Sequence, residues 1–465
     1  MHYTSNAAIR YFTSDTRISS CVDNAIIDIM KILITSDLYP PVINGVATFS
    51  QNLARGLVAA GHEVLVIAPS QDGKRSVEYD GDIPIHRVRS VIFPFYQNIR
   101  ICVAPQLEVR NILQEFKPDI IHNQMPLAIG QATTMIARRH DTPIVSTSHA
   151  MPENLMDNLS KLSAFSKPFN YMLADFGRRY HSKSDAVTSP TKSGIDGFAK
   201  FTSKLDAPLY VISNGINLNE YSPGEVREEL YDTYHLPTDK PIITYLGRLD
   251  AEKHVWVLLR AMKKILETHD VHMMIVGSGV DLENSQQLAE ELGIDEHVTF
   301  TGRVPEEDKA ELHRIGTLFA VASPAELQCI AALEAMASGQ PVVAVDAGAL
   351  SELCHDGENG YLFDLDDYDM AAEKIIAVLD DDSLREEFSQ ESLAIARSHN
   401  LDFTIEQFVA LYEAVIEKKA EEITARPSGW RDRILESEFV EYIRAVRSSD
   451  DEELSAMTDE EIKKL

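Results

Sequence analysis

Ser323-Pro-Ala-Glu-Leu-Gln-Cys-Ile-Ala-Ala-Leu-Glu-Ala-Met-Ala-Ser-Gly339-Gln-Pro341 lies between two short apolar runs, Leu318–Ala322 and Val342–Val345. Pro324 suits the first position of a helix, and Gly339 followed by Pro341 suits its end. The segment therefore reads as strand, helix, strand. Near-continuous apolar strands separated by helices belong to parallel sheets covered on both faces.

Outward from this unit the pattern repeats. Ile242–Leu246, His272–Val276 and Val298–Thr301 precede it and Tyr361–Phe363 follows. An earlier series opens at Met30–Thr35 and continues through Val64–Ala68, Ile85–Val88, Ile120–His122, Ile144–Thr147, Ala186–Ser189 and Leu209–Ile212. His86 and Arg87 interrupt the third of these, which is expected at a sheet edge. Two such series joined near 222–241 predict an α/β protein of two Rossmann-like domains facing a central cleft, with ligands beyond the carboxyl ends of the strands. The expected boundaries are 1–29, an extension outside the fold; 30–225, the first domain; 226–400, the second; 401–427, an amphipathic helix crossing back to the first; and 428–465, an acidic helical tail.

With 465 residues, 44% hydrophobic and 25% charged, the chain has the composition of a multidomain globular protein rather than a disordered or fibrous one. It shows neither a membrane-length apolar run nor a signal-peptide pattern, and its four cysteines are scattered, so a cytoplasmic location is expected. The net charge of −30 argues against nucleic acid as a partner and is unevenly spread. Residues up to 225 balance to zero, 226–420 carry −24, and 161–204 carry +5.

Between Leu327 and Gln340 the one charged side chain is Glu334. An ionised carboxylate on so apolar a helix is costly without a partner, and a ribose offers two hydroxyl donors. Glu326, eight residues earlier, also fits a capping box with Ser323. Arg248 and Lys253 follow the strand Ile242–Leu246, where two cations suit a diphosphate leaving group; surface cations on a loop are the plainer reading. Gly45, in Pro40-Pro-Val-Ile-Asn-Gly45, would let a phosphate approach helix N–H groups. Gly277-Ser-Gly279 reads as turn architecture. Asp364-Leu-Asp366 reads as helix capping, so no metal site is expected. No cofactor is expected.

Together, Pro40–Gly45, Asn214-Gly-Ile-Asn217, Gly247-Arg248…Glu252-Lys253 and Glu326-x7-Glu334 with Ala335-Met-Ala-Ser-Gly339 resemble the retaining glycosyltransferases of family 4, which have the GT-B fold, over Met30 to about 420. The resemblance implies a nucleotide-diphosphate sugar donor on the second domain and an acceptor on the first. It implies that Arg248 and Lys253 bind the diphosphate and Glu334 the ribose. Glu326 would contact the sugar, Leu327 and Gln328 would offer N–H groups to phosphate, and Arg303 and Val304 would lie by the base. Gly45 would face the phosphates and His149 the donor sugar. It further implies metal-independent transfer with retention at the anomeric carbon. Two departures stand out: Glu326-Leu-Gln-Cys329 where the family commonly has Glu-Gly-Phe-Gly, and His254 where a glycine often follows the lysine.

Residues 155–180 carry an apolar stripe (Leu155, Leu159, Leu162, Phe165, Phe169, Met172, Phe176, Tyr180) among Lys161, Lys167, Arg178 and Arg179. Such a face suits an anionic membrane surface, and equally an ordinary helix pair in the first domain. Similarity to glycolipid-forming members of the family, such as diacylglycerol glucosyltransferases, makes UDP-glucose and a diacylglycerol-type lipid the expected substrates. Peripheral contact with the inner face of the plasma membrane would run through 155–204. Phosphatidylinositol, a soluble sugar or a polysaccharide are alternative acceptors. An epimerase and a non-catalytic nucleotide-sugar binder are the alternatives of another class.

Overall fold

Both series of apolar runs become sheets. The structure, a computed structural model, describes residues 9–11, 29–42, 44–92, 100–149, 175–201, 205 and 207–425. Most of the stripe at 155–180 and the whole tail 428–465 lie outside the described residues.

The first sheet holds β1 (Ile9–Tyr11), β2 (Lys31–Thr35), β3 (Glu63–Pro69), β4 (Ser76–Asp80), β5 (Ile83–Val88), β8 (Ile120–Asn123), β9 (Ile144–Thr147), β10 (Ala186–Ser189) and β11 (Leu209–Val211). A separate hairpin pairs β6 (Ser90–Ile92) with β7 (Arg100–Cys102). The order in the first sheet is β1-β11-β10-β9-β8-β2-β3-β5-β4, parallel except for the β4–β5 pair. The second sheet, β14-β13-β12-β15-β16-β17, is parallel throughout: β12 (Ile242–Leu246), β13 (His272–Val276), β14 (Val298–Gly302), β15 (Leu318–Val321), β16 (Val342–Val345) and β17 (Gly360–Phe363). Chain order reverses at β2 in one sheet and at β12 in the other, which opens a crevice at the carboxyl end of each.

Three expectations are corrected. Ile9–Tyr11 pairs with β11, so part of the stretch set outside the fold closes an otherwise open edge. The strand containing His86 and Arg87 is not the edge, because β4 lies beyond it; Arg87 is buried and bonds to Glu78 of β4 at 2.9 Å and to the Pro40 carbonyl at 2.6 Å. The helix expected from Pro324 begins only at Ile330.

Five helices matter for the site: α1 (Gly45–Ala59), α2 (Lys192–Phe201), α3 (Glu306–Ile315), α4 (Ile330–Ala337) and α5 (Leu401–Thr424). α5 returns to the first domain, as its apolar spacing predicts. Ile405, Phe408, Leu411, Tyr412 and Val415 join one core with Phe49, Leu53 and Leu57 of α1. The two helices touch at Gly56, where a Cβ would stand 2.5 Å from the Ile405 side chain.

Candidate active site

β12 leads into Gly247–Lys253 and β15 into Ser323–Cys329, so two loops flank the crevice of the second sheet. The first is held by backbone contact. A Cβ on Gly277 would lie 1.8 Å from the Gly247 carbonyl oxygen, and one on Gly279 2.1 Å from that of Leu249. The glycine turn is thus architecture, as read, and it fixes the loop that carries Arg248. Tyr245, buried beneath, donates to the Arg248 carbonyl at 2.9 Å. The Arg248 guanidinium bonds to Asp250 and, at 2.7 Å, to Glu252, both buried acids.

The second loop is not helical, which removes the capping-box reading: Glu326 stands on an open turn, and the buried Ser323 hydroxyl has no hydrogen-bond partner among the described residues. Lys253 Nζ reaches Glu326 Oε1 at 2.6 Å across the crevice. Burial opposes the Lys253 charge, but the Glu326 carboxylate outweighs it and holds the ammonium above its ordinary pKa. Among the described residues no hydrogen bond occupies the N–H of Leu327 or Gln328. Both stand beside the amino end of α4, where the helix dipole adds positive potential.

Glu334, on the first two turns of α4, is 7% exposed. The sequence shows no nearby base, but the fold supplies one: His313 of α3 brings Nε2 to 3.4 Å from Glu334 Oε2. Tyr221 also donates to Glu334; burial, and then the Glu334, Glu306 and Glu220 carboxylates, keep that hydroxyl protonated. Burial above all keeps the Cys329 thiol protonated; Glu326, Lys253 and Glu334 each act on it electrostatically as well. Neither His313 nor Tyr221 carried any signal in the sequence.

From the first domain, Gly45 opens α1 opposite α4, where its Cβ would sit 3.6 Å from Ile330 Cδ1. Asn44 caps α1, accepting from Ala47 N at 2.8 Å. One helical turn beyond Gly45, Phe49 packs against the His149 ring at 5.1 Å between centroids. His149 Nε2 bonds to Gln124 Oε1 at 2.7 Å, and burial, then the nearby His181, push its pKa down to about 3. Gln124 was missed, although a polar side chain just past an apolar strand is where this fold places ligand contacts. Arg303 and Val304 follow β14 at the far corner of the same sheet edge, Arg303 exposed and Val304 packed against the cluster of Leu230, Leu236 and Met274. The D-x-D does not cap its helix: Asp367 does, accepting from Met370 N at 2.8 Å, while Asp366 pairs with His254 at 2.8 Å.

Both departures from the family pattern sit at left-handed backbone positions. Cys329 has φ +52 and His254 φ +48, which explains the glycine commonly found there.

Residues 43–220 match the glycosyltransferase family 4 domain, and 226–393 the domain described as glycosyl transferases group 1. A glycosyltransferase of Methanocaldococcus jannaschii is 31% identical over 338 residues, 71% of this chain and 84% of that one. The chain belongs to the family 4 glycosyltransferases. Among its relatives are a GDP-mannose-dependent alpha-mannosyltransferase of Mycolicibacterium smegmatis, 26% identical (84% of this chain, 99% of that one), and the alpha-monoglucosyldiacylglycerol synthase of Streptococcus pneumoniae, 25% identical (88% and 91%). The GT-B fold is shared with sucrose-phosphate synthase of Thermosynechococcus elongatus, TM-score 0.69 at 20% identity (84% of this chain, 100% of that one). It is shared equally with Anabaena HepE, solved with UDP and glucose, TM-score 0.66 at 20% identity (83% and 100%). Transfer of a glycosyl group thus displaces the epimerase and binder alternatives. No helix among the described residues is long and apolar enough to cross a membrane.

Proposed function

We propose that this glycosyltransferase moves a hexose from a nucleotide-diphosphate sugar, UDP-glucose first among them, to a diacylglycerol-type membrane lipid with retention at the anomeric carbon. The observation that carries the donor half is the Lys253–Glu326 pair at 2.6 Å between the two crevice loops, with Arg248 on the same loop as Lys253 and the buried Glu334 on the helix that follows Glu326. The acceptor half is supported by the diacylglycerol glycolipid synthase among the relatives and by the apolar and basic residues of 155–204.

In this reading Glu334 accepts from the ribose hydroxyls, and Glu326 from the sugar. The diphosphate takes Lys253 from Glu326, meets Arg248, and receives the Leu327 and Gln328 N–H groups. As the glycosidic C–O bond breaks, charge grows on the leaving oxygen and an oxocarbenium-like centre forms. Cations and N–H groups already in place stabilise that separation more than the ground state. The acceptor hydroxyl then attacks from the leaving-group face and gives its proton to the departing diphosphate oxygen. His149, neutral at working pH, lines the sugar end from the first domain and acts there as a hydrogen-bonding group.

GDP-mannose is the second donor to weigh, because a relative of nearly the same length is named for it. The test offers UDP-glucose, GDP-mannose and ADP-glucose in turn with vesicles containing diacylglycerol or phosphatidylinositol. Nucleoside diphosphate release and the anomeric proton couplings of the product are measured. Release only from UDP-glucose with diacylglycerol vesicles, giving an α-linked product, is expected. Mannosyl product would reassign the donor, a β-linked product would remove retention, and acceptor-independent release would remove the lipid.

A further inference from the structure

The chain crosses between the domains twice, and the two crossings run side by side. Ile216 N donates to the His399 carbonyl at 2.8 Å, and Leu401 N to the Ile216 carbonyl at 2.9 Å. The loop carrying Glu326, Leu327 and Gln328 reaches into this joint. Gln328 is 2% exposed; its Oε1 accepts from Asn214 N at 2.8 Å and its Nε2 donates to Ser213 Oγ at 2.7 Å. Nε2 also stands 3.5 Å from His399 Nδ1, which in turn lies 2.8 Å from Ser213 Oγ. One side chain therefore spans both crossings.

The same loop is fastened to α2 of the first domain. Thr191 Oγ1 donates to the Leu327 carbonyl at 2.7 Å, and a Cβ on Gly194 would lie 3.0 Å from Leu327 Cδ2. Glu352, from the second domain, accepts from Lys192 N at 3.0 Å, Ser193 N at 2.6 Å and the Ser193 hydroxyl. A cavity of about 430 Å³ beside these contacts is lined by Thr191, Ser213, Glu352, His399 and Phe403.

We propose that Gln328 is a positioning residue: its amide ties the donor-phosphate loop to the paired interdomain crossings, so that the angle between the domains sets where the Leu327 and Gln328 N–H groups stand. The inference rests on the donor reading given above, and it concerns the side chain, whereas that reading uses only the backbone N–H. A buried amide with both ends engaged would be satisfied in many ways if it served stability alone. Here both partners lie on one of the two crossings between the domains, and the loop it holds is the one that the donor reading sets beside the leaving group.

The test compares Gln328→Met, Gln328→Ala and Gln328→Glu in the full chain, using UDP-glucose and GDP-mannose as donors. Methionine keeps the volume and loses both hydrogen bonds; glutamate keeps the acceptor for Asn214 N and loses the donor. Expected are a tenfold or larger fall in kcat for Met and Ala, a donor KM within threefold, a Tm within a few degrees, and partial recovery in Glu. Ser213→Ala added to Gln328→Met should cost little more. A second readout needs no turnover. Spin labels at Gln114→Cys and Glu290→Cys, in a Cys21→Ser background whose Cys102, Cys329 and Cys354 are buried, report the interdomain distance. Gln328→Met should broaden that distribution. An unchanged distribution, or a Met variant with full kcat, overturns the proposal. Absence of turnover in the parent protein with every donor would instead sink the donor reading and leave the distance measurement to decide the clamp.

Discussion

The two sheets present their carboxyl edges to one cleft and furnish them in opposite ways. The second-domain edge is ionic: Arg248 pairs with Asp250 and Glu252, Lys253 with Glu326, and Glu334 lies 3.4 Å from His313. The first-domain edge is built from neutral hydrogen bonds. Thr35 donates to Asn123 at 2.6 Å, Asn123 to Thr134 at 3.0 Å, and His122 bridges Tyr412 and Thr147 at 2.7 Å each. A buried acid there, Asp37, has its pKa raised by burial to about 7. One wall can exchange its carboxylates for a ligand's charge; the other can orient hydroxyls without adding charge. The stretch 226–420 carries −24 of the net charge, yet it is where the proposed function seats a dianion: two cations and a helix end set the local field there, whatever the surface total.

Breaking the ionic wall should cost most. Lys253→Ala is expected to lower kcat by about two to three orders of magnitude, as loss of a preorganised charge at a leaving group does, with the fold intact by circular dichroism. Gln124→Ala on the neutral wall should cost no more than about tenfold. Comparable losses in steady-state assays would erase the distinction.

Next is the backbone under Arg248. Gly277 has φ +138 and no room for a Cβ, so Gly277→Ala should destabilise by roughly 3 kcal/mol, read from urea unfolding. A loss below about 1 kcal/mol would mean that the two loops are not packed backbone to backbone.

The neutral wall predicts sensitivity to acid. Burial pushes His122, His149 and His181 each down to about 3, so below pH 6.5 the unfolded chain binds protons that the folded chain refuses. The histidines' contribution to stability is full above pH 6.5 and falls as the pH drops, by about 1.4 kcal/mol per unit per histidine at most. Asp37 works the other way between its ordinary value and about 7, and offsets one of the three. A Tm that is flat from pH 7 to 5 would contradict this, and His122→Gln should shallow the slope.

The smallest effect concerns Cys329. Cys329→Gly removes the left-handed strain of a side chain, worth about 1–2 kcal/mol, but also a buried thiol, so a net gain of no more than about 1 kcal/mol in Tm-derived stability is expected. Destabilisation would show that thiol packing outweighs strain.

The strands were legible because a sheet buried on both faces needs unbroken apolar runs, and Ile242–Leu246 or Val342–Val345 can be little else. The crossing helix showed for the same reason, through Ile405, Phe408 and Tyr412. At the site, the residues legible without reference to a family were those whose charge contradicts their surroundings, Glu334 above all. His313 and Tyr221 escaped because a partner brought from another helix leaves no local trace. The loop 324–329 was misread as helix because Pro324 and the Ser323/Glu326 spacing satisfy local rules that the left-handed Cys329 overrides. Gln328 was visible as a departure, but its reach to Ser213 and Asn214 depends on how two domains meet.

The return of α5 also bears on synthesis. The face of α1 that receives Phe408 and Tyr412 is made early, and its cover leaves the ribosome only after the entire second domain has been translated. Until then the nascent first domain carries an open greasy strip, and its last core layer waits for α5. A chain truncated before Leu401 lacks that layer, so the two halves share one folding fate.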